Sequence, residues 1–168
     1  MISMDIRHPD IEAFVKMKQN LTKVTGANVS VKISDSFMQA VENNDTFTLQ
    51  FPVDADEPEY TTDVDATTLW NTIIQSATQT AEPGLLMWDN ITKNLPAHNY
   101  PEFKTLTTNP CGEIPLSAYD SCRLISLNLK SLVKNPFEKI ADFDFSKLRH
   151  IASIGMRLSD DLVELELE

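Results

Sequence analysis

The alternation of short strand-like segments with helical segments is the feature that most constrains the fold of this chain. Stretches in which apolar and polar residues alternate are typical of strands, and apolar residues repeated every three or four positions are typical of helices. A strand–helix–strand order favours an α/β architecture with parallel strands. The pattern predicts strands at residues 1–6, 28–33, 85–88 and 123–129.

The remaining patterns are helical or form a hairpin. Pro9 suits the first position of a helix, and Ser34 or Asp35 suits the cap of a second one. Residues 46–53 and 60–64 have the pattern of an antiparallel hairpin. Longer helices are predicted at residues 66–81 and 144–167. The last pattern has no capping glycine at its end, so we expect the chain to be cut from a longer one.

Composition narrows the possible partners. The 168 residues have a formal net charge of −11, which would repel a nucleic acid, whereas small phosphorylated ligands still suit helix N-termini and single lysines. No apolar run is long enough for a membrane span, and the first residues lack the pattern of a signal peptide. We therefore expect a cytoplasmic protein without a membrane or nucleic-acid partner. Two cysteines without a nearby histidine pair predict no metal site.

The segment around Cys111 is the strongest candidate for a functional site. It reads Thr-Asn-Pro-Cys-Gly-Glu-Ile-Pro-Leu over residues 108–116. Pro110 fixes its own φ and favours an extended Asn109, and Gly112 is expected to allow a close approach that a Cβ would block. The segment is therefore predicted to be a rigid loop that presents Asn109, Cys111 and Glu113 to one small ligand.

Local chemistry alone leaves several roles open for Cys111. A hydrolase nucleophile needs a base, usually histidine, and His8, His98 and His150 are all distant in sequence. Glu113 would also disfavour a thiolate by like-charge repulsion. A carboxylate at this position is better explained if the thiol reacts as a neutral or radical species. A structural cysteine in a loop remains the simplest alternative.

Several stretches resemble the catalytic barrel of ribonucleotide reductases, and most closely that of the adenosylcobalamin-dependent class. Residues 108–127 (TNPCGEIPLSAYDSCRLISL) look like the active-site finger loop of that family. Three further stretches look like the same barrel, in the family's order: MISMDIRHPDIEAFVK at 1–16, LTKVTGANVSVKISDSFM at 21–38 and AEPGLLMWDN at 81–90. The resemblance covers essentially the whole chain. It implies a single domain over residues 1–168, roughly the N-terminal half of a ten-stranded α/β barrel, with its finger loop near 108–122.

The resemblance also implies a role for each candidate residue. Cys111 matches the cysteine that becomes a thiyl radical and removes the 3′ hydrogen of the ribose. Glu113 matches the general base for the 3′-hydroxyl, and Asn109 matches an amide that hydrogen-bonds the ribose. Cys122 matches one member of the redox pair that becomes a disulfide as the 2′-hydroxyl leaves as water. The expected reaction converts a ribonucleoside di- or triphosphate to its 2′-deoxy form.

Parts of the family's machinery are absent from the sequence. The resemblance implies that the partner of Cys122 lies upstream of the stretch that matches residues 1–16. Because no cysteine precedes Cys111, this partner is not part of this sequence. We therefore expect the chain to need the remaining segments of the reductase or a complementing chain. A non-catalytic assembly module that complements a split enzyme is the alternative function.

The resemblance suggests a cofactor and a regulatory ligand as well. The loop sequence, together with Tyr119-Asp120-Ser121-Cys122-Arg123, most resembles that of the adenosylcobalamin-dependent class, so the resemblance implies adenosylcobalamin as the cofactor. The alternative is a radical supplied by a separate metal-containing subunit. The polar residues 18–27, from Lys18 to Ala27, fall where the family has a loop near a deoxynucleotide effector. An ordinary surface connection is the other interpretation of this stretch.

Overall fold

Two structural units divide the chain, Met1–Asp120 and Ser121–Glu168. The computed structural model describes residues 1–20, 22 and 24–166. The first unit contains, in chain order, β1 (Ile2–Asp5), α1 (Ile11–Lys16), β2 (Val29–Ile33), α2 (Asp35–Asn43), β3 (Thr46–Phe51), β4 (Tyr60–Asp65), α3 (Ala66–Thr80), β5 (Gly84–Met87), α4 (Trp88–Asn94), β6 (Thr107–Thr108) and β7 (Pro115–Leu116). The second contains β8 (Val133–Lys134), β9 (Asp142–Phe143) and α5 (Phe145–Leu165).

A parallel sheet with the order β1-β2-β5 organises the first unit. The predicted α/β architecture with parallel strands is therefore confirmed. The predicted hairpin is also present, as β3 paired antiparallel with β4.

Strand alternation gives the parallel sheet two chemically different faces. One face carries apolar side chains that belong to the hydrophobic core: Met4, Val29, Val31, Ile33 and Leu85. The register places the opposite residues on the second face: Ser3, Asp5, Ser30, Lys32, Gly84 and Leu86. Because most of this second set is polar or small, this side of the sheet suits a loop or a ligand better than a helix. We call it the polar face.

Helices α1, α2 and α3 cover the core face of the sheet. Phe37 at the centre of this core is fully buried and makes an edge contact with Phe47, with the ring centroids 5.0 Å apart. The helices begin where the sequence provides caps, since Ser34 accepts a hydrogen bond from the N–H of Phe37. Pro9 is an exception, because α1 begins only at Ile11 and Pro9 lies in the preceding turn.

The second unit is built on α5. Asp144 caps this helix by accepting a hydrogen bond from the N–H of Lys147. The strand predicted at residues 123–129 is wrong, because residues 121–128 are irregular and Leu124 is 78% exposed. The side-chain pattern of a strand forms one only where a neighbouring strand pairs with its backbone, and these described residues pair with none.

Candidate active site

The segment around Cys111 forms a small hairpin. Strands β6 and β7 are antiparallel, with Thr107 opposite Leu116 and Thr108 opposite Pro115. Six residues, 109–114, connect the two strands. Thr105 and Thr108 are 5% and 2% exposed, so part of the segment leading to the tip is buried, whereas Cys111 and Glu113 at the tip are exposed. The predicted loop is therefore a structured turn, which we call the Cys111 hairpin (residues 105–116).

The tip of the hairpin is closed by the backbone and side chain of Asn109. The N–H of Asn109 donates to the carbonyl of Ile114 at 3.1 Å, and its side-chain Oδ1 accepts from the N–H of Ile114 at 3.0 Å. The N–H of Gly112 donates to the carbonyl of Asn109 at 3.0 Å. The amide oxygen of Asn109 thus holds the turn, and the Nδ2 group is the end of this side chain that carries hydrogens to donate.

Gly112 is required for a reason other than the expected one. A Cβ built on it would lie 3.5 Å from Cδ2 of Leu86, which is an ordinary van der Waals contact. The prediction that glycine allows a close approach is therefore wrong. Its φ of +83° lies in the left-handed region, which side chains disfavour, so the conformation of the turn selects glycine.

Cys111 and Glu113 are both exposed at the tip, two residues apart. Cys111 lies at the edge of a shallow cavity of about 350 Å³. Besides the tip itself, the cavity is lined by Ser30, Gly84, Leu85, Leu86, Met87 and Ile91. This lining contains no histidine, so it offers the thiol no base of the kind a cysteine hydrolase uses. Asn109, Cys111 and Glu113 all belong to this turn, and their orientation toward one ligand stays a prediction.

Cys122 belongs to the second unit. It is a half-buried free thiol, and its carbonyl accepts a hydrogen bond from Nη1 of Arg123 at 3.2 Å. Arg123 also forms an ion pair with Glu166 at the end of α5. The role assigned to Cys122 by resemblance stays a prediction.

Two polar contacts attach the base of the hairpin to the polar face of the sheet. Oγ of Ser3 on β1 lies 3.1 Å from Oγ1 of Thr107. Nζ of Lys32 on β2 donates to the carbonyl of Leu106 at 2.5 Å. Neither attachment was predicted from the sequence. The signal for them is the alternation within ISMD at 2–5 and VSVKI at 29–33, which turns Ser3 and Lys32 away from the core.

The polar stretch at 18–27 is fixed at its base by one carboxylate. Nζ of Lys18 lies 2.7 Å from Oε2 of Glu82, while Oε1 of Glu82 accepts from the N–H of Val29 at 3.0 Å. Gln19 donates to Oγ of the fully buried Ser76 at 3.1 Å. Glu82 thus ties the beginning of the stretch to Val29, two residues beyond its end. Leu21 and Lys23 lie outside the described residues.

The described residues show neither a metal cluster nor a spanning helix. Within them, no three His, Cys, Asp or Glu side chains are close enough to share a metal ion. Their helices are all too short or too polar to cross a bilayer.

A sequence profile for the barrel domain of ribonucleotide reductases matches residues 1–167. This chain belongs to the ribonucleotide reductase barrel-domain family. The resemblance seen in the Cys111 segment and in the three other stretches is thereby confirmed.

Several relatives of this ribonucleotide reductase segment are named vitamin B12-dependent reductases. A vitamin B12-dependent ribonucleoside-diphosphate reductase of Thermoplasma acidophilum is 35% identical over 162 residues, covering 96% of this chain and 20% of the relative. Its counterpart in Mycobacterium tuberculosis strain H37Rv is 31% identical over 166 residues, covering 98% of the chain and 22% of the relative. A vitamin B12-dependent ribonucleotide reductase of Streptomyces clavuligerus is 29% identical over 184 residues, covering 95% of the chain and 18% of the relative. The chain thus spans about a fifth of the length of these curated relatives.

The part of this reductase segment that the structure describes does not by itself suit a cobalamin. Five cavities along the described residues measure from about 200 to about 490 Å³, and all of them open to solvent. Two of its histidines already use Nδ1 within the chain, since His8 accepts from the N–H of Asp10 and His98 accepts from that of Thr105.

Proposed function

We propose that this chain provides the thiol-bearing hairpin of a ribonucleotide reductase, which converts ribonucleotides to 2′-deoxyribonucleotides by thiyl-radical chemistry. The observation that carries the proposal is the tip of the Cys111 hairpin. A thiol, a carboxylate and an amide lie within five residues of one hydrogen-bonded turn, and the thiol-bearing Cys111 borders a cavity. Membership of the family supports the same conclusion.

Each group at the tip has a task that suits its chemistry. Cys111, as a thiyl radical, takes the hydrogen atom from the 3′ carbon of the ribose. Glu113 takes the proton of the 3′-hydroxyl as the sugar radical develops, which is general-base catalysis. Asn109 donates from Nδ2 to the ribose, because its Oδ1 is already used in the turn. The closed turn keeps these groups in register, and such positioning is worth a large part of the rate.

Cys122 contributes reducing equivalents in this proposal. Breaking the bond between the 2′ carbon and its oxygen releases water and needs two electrons and two protons. Two thiols supply them by forming a disulfide, and Cys122 is one of the two. The second thiol comes from the remaining segments of the reductase or from a complementing chain, since Cys111 and Cys122 are the two cysteines of this sequence.

The parallel sheet β1-β2-β5 is proposed to be part of the family's ten-stranded barrel, roughly within its N-terminal half. Two features support this assignment. The helices cover one face of the sheet, and the other face carries polar residues and the hairpin, as the inside of a catalytic barrel would. Both structural units then belong to one barrel domain with its finger loop near 108–122.

The ligands follow from the reaction and from the loop at 18–27. The substrate is a ribonucleoside di- or triphosphate. A deoxynucleotide effector acts near the stretch from Lys18 to Ala27, whose base Glu82 holds in place. Reversible thiol chemistry requires a reducing compartment, which supports a cytoplasmic location.

We propose adenosylcobalamin as the cofactor of the whole protein, because relatives with 96% and 98% coverage of this chain are named vitamin B12-dependent reductases. The competing source is a radical from a separate metal-containing subunit. Omitting adenosylcobalamin from an assay of the gene's full-length product distinguishes the two. Activity that persists without it, but needs a second metal-containing protein, would reject the cobalamin assignment.

The catalytic proposal is tested with Glu113→Gln and Cys111→Ser in the full-length protein. We expect Glu113→Gln to lower the rate of deoxynucleotide formation by about 10²- to 10⁴-fold, the usual contribution of a general base. Cys111→Ser removes the radical site and should abolish turnover. Nucleotide binding should be retained in both, as measured by calorimetry.

Glu102→Gln is the matched control, because Glu102 is an exposed carboxylate that precedes the hairpin. It should leave the rate within about twofold of the wild type. A Glu113→Gln protein as active as this control would refute the general-base role. Binding without turnover in the wild type, even with all segments present, would instead favour the assembly module.

A further inference from the structure

Lys32 occupies an unusual position for a lysine. It lies on β2, the middle strand of the parallel sheet, and on the polar face, in register with Asp5 on β1 and Leu86 on β5. Its side chain is half-buried. Placing a cation at the centre of a sheet costs solvation free energy, so the charge needs partners that compensate for the lost water.

The ammonium group of Lys32 has two neighbours that suit it. Nζ donates to the carbonyl oxygen of Leu106 at 2.5 Å, and it lies 4.3 Å from the centroid of the Trp88 ring. The first contact is a charge-assisted hydrogen bond and the second is a cation–π interaction. Together they direct the side chain toward the base of the Cys111 hairpin.

The nearby carboxylates are engaged elsewhere. Asp5 receives two hydrogen bonds from the guanidinium of Arg7, from Nε and Nη2, each at 3.0 Å. Arg7 also contacts Asp54 at 3.2 Å. Burial lowers the pKa of Lys32, and the charges of Asp5 and Asp54 only partly oppose this effect. The direct acceptor of Lys32 is thus a backbone carbonyl of the hairpin.

Leu106 is where the hairpin begins, so its placement determines where the tip lies. Its N–H donates to the carbonyl of Leu116 at 2.8 Å, which joins the two ends of the hairpin, while its carbonyl is held by Lys32. The next residue, Thr107, contacts Ser3 on β1. Because the tip is itself closed by hydrogen bonds, a shift at Leu106 moves Cys111 with it.

We propose that Lys32 is a positioning residue for the Cys111 hairpin: its ammonium, packed on Trp88, holds the carbonyl of Leu106 and thereby sets the distance of Cys111 from the substrate. This inference rests on the proposed function, because it concerns the same reaction. Small misplacements of a reacting group are costly, so loss of this contact should reduce turnover more than substrate binding.

The test uses Lys32→Met, Lys32→Arg and Trp88→Leu in the gene's full-length product. Methionine keeps an unbranched, flexible chain but has no charge or N–H donor, whereas arginine keeps both. Lys93→Met is the matched control, because Lys93 is an exposed lysine of α4. Two properties are measured: kcat and KM for nucleotide reduction, and amide hydrogen exchange of hairpin residues 105–116 compared with that of β2 and α3.

For Lys32→Met we expect kcat to fall about tenfold, which corresponds to about 1.4 kcal/mol, with KM within about twofold. Hairpin amides should exchange about tenfold faster, while the amides of β2 and α3 keep their protection. Lys32→Arg should recover most of both losses, Trp88→Leu should give a smaller loss in the same direction, and Lys93→Met should change neither.

Two outcomes would overturn the proposal. Unchanged hairpin exchange and kcat in Lys32→Met would mean that the contact does not position the hairpin. Faster exchange of β2 and α3 together with the hairpin would mean that Lys32 serves the stability of the sheet instead. A wild type without any nucleotide reduction refutes the proposed function, but the exchange comparison then still decides whether Lys32 holds the hairpin.

Discussion

Replacing Gly112 by alanine tests whether the tip of the Cys111 hairpin is held in its left-handed turn. The φ of Gly112 is +83°, and a residue with a Cβ pays about 1–2 kcal/mol in the left-handed region. The added Cβ meets only Cδ2 of Leu86 at 3.5 Å, so steric overlap adds little. The expected cost is therefore conformational and local to the tip.

A cost of about 1–2 kcal/mol corresponds to a factor of about 5 to 30 in the population of the turn. In Gly112→Ala, the amides that donate the hydrogen bonds of the turn, those of Asn109, residue 112 and Ile114, should exchange faster by up to that factor. The rate of deoxynucleotide formation in the full-length protein should fall by a similar factor. The unfolding temperature should barely change, because the exposed tip adds little to the core.

Gly155→Ala is the informative control, because it makes the same chemical change inside helix α5. A Cβ at Gly155 would lie 3.6 Å from Ile125, an ordinary contact, and its φ is not left-handed. Alanine should stabilise the helix there by up to about 1 kcal/mol. If Gly112→Ala and Gly155→Ala behave alike in exchange and in activity, the tip does not depend on the left-handed turn and the reasoning fails.

Two further predictions concern stability. Phe37→Ala removes a fully buried ring that contacts Phe47 in the core, and it should lower the free energy of unfolding by about 3–5 kcal/mol in denaturant titrations; a loss below about 1 kcal/mol would contradict the described packing. For Glu82, burial favours a raised pKa, but the hydrogen bonds from Lys18 and from the N–H of Val29 outweigh it, so its pKa lies below the ordinary value of 4.5. A carboxyl with a lowered pKa in the folded state stabilises above its unfolded pKa, so stability should decline as the pH falls below about 4.5, and Glu82→Gln should make this decline shallower; equal slopes in wild type and variant would exclude the contribution of Glu82.

Much of the first unit was predictable because its longer strands and helices have clear patterns of their own, whereas the two-residue strands β6 to β9 have none. The alternation in VSVKI gave β2, and the repeat of Leu69 and Ile73 gave α3. The strand at 123–129 failed because a strand also needs a partner, which single-sequence patterns do not reveal. The prediction that α1 begins at Pro9 was wrong, because the fixed φ of proline suits turns as well as the first position of a helix.

Only the part of the candidate site that is formed by residues close in sequence was predictable. Asn109, Cys111 and Glu113 are close in sequence, so a single turn brings them together whatever the rest of the fold does. Lys32 lies more than seventy residues before Leu106. A contact of this kind depends on register and on packing, and composition or spacing within one segment does not predict it.

The two faces of the parallel sheet link correct folding to chemistry. A shift of β2 by one residue against its neighbours would exchange Val31 and Lys32 between the faces. The lysine would then enter the hydrocarbon interior, and a valine would lie under the hairpin. A chain folded in this shifted register would bury the Lys32 charge without solvation, and it would also lose the contact between Lys32 and the hairpin. With the proposed role of Lys32, correct folding and turnover depend on the same strand alignment, so a single-residue insertion in β2 should be among the most damaging changes in this protein.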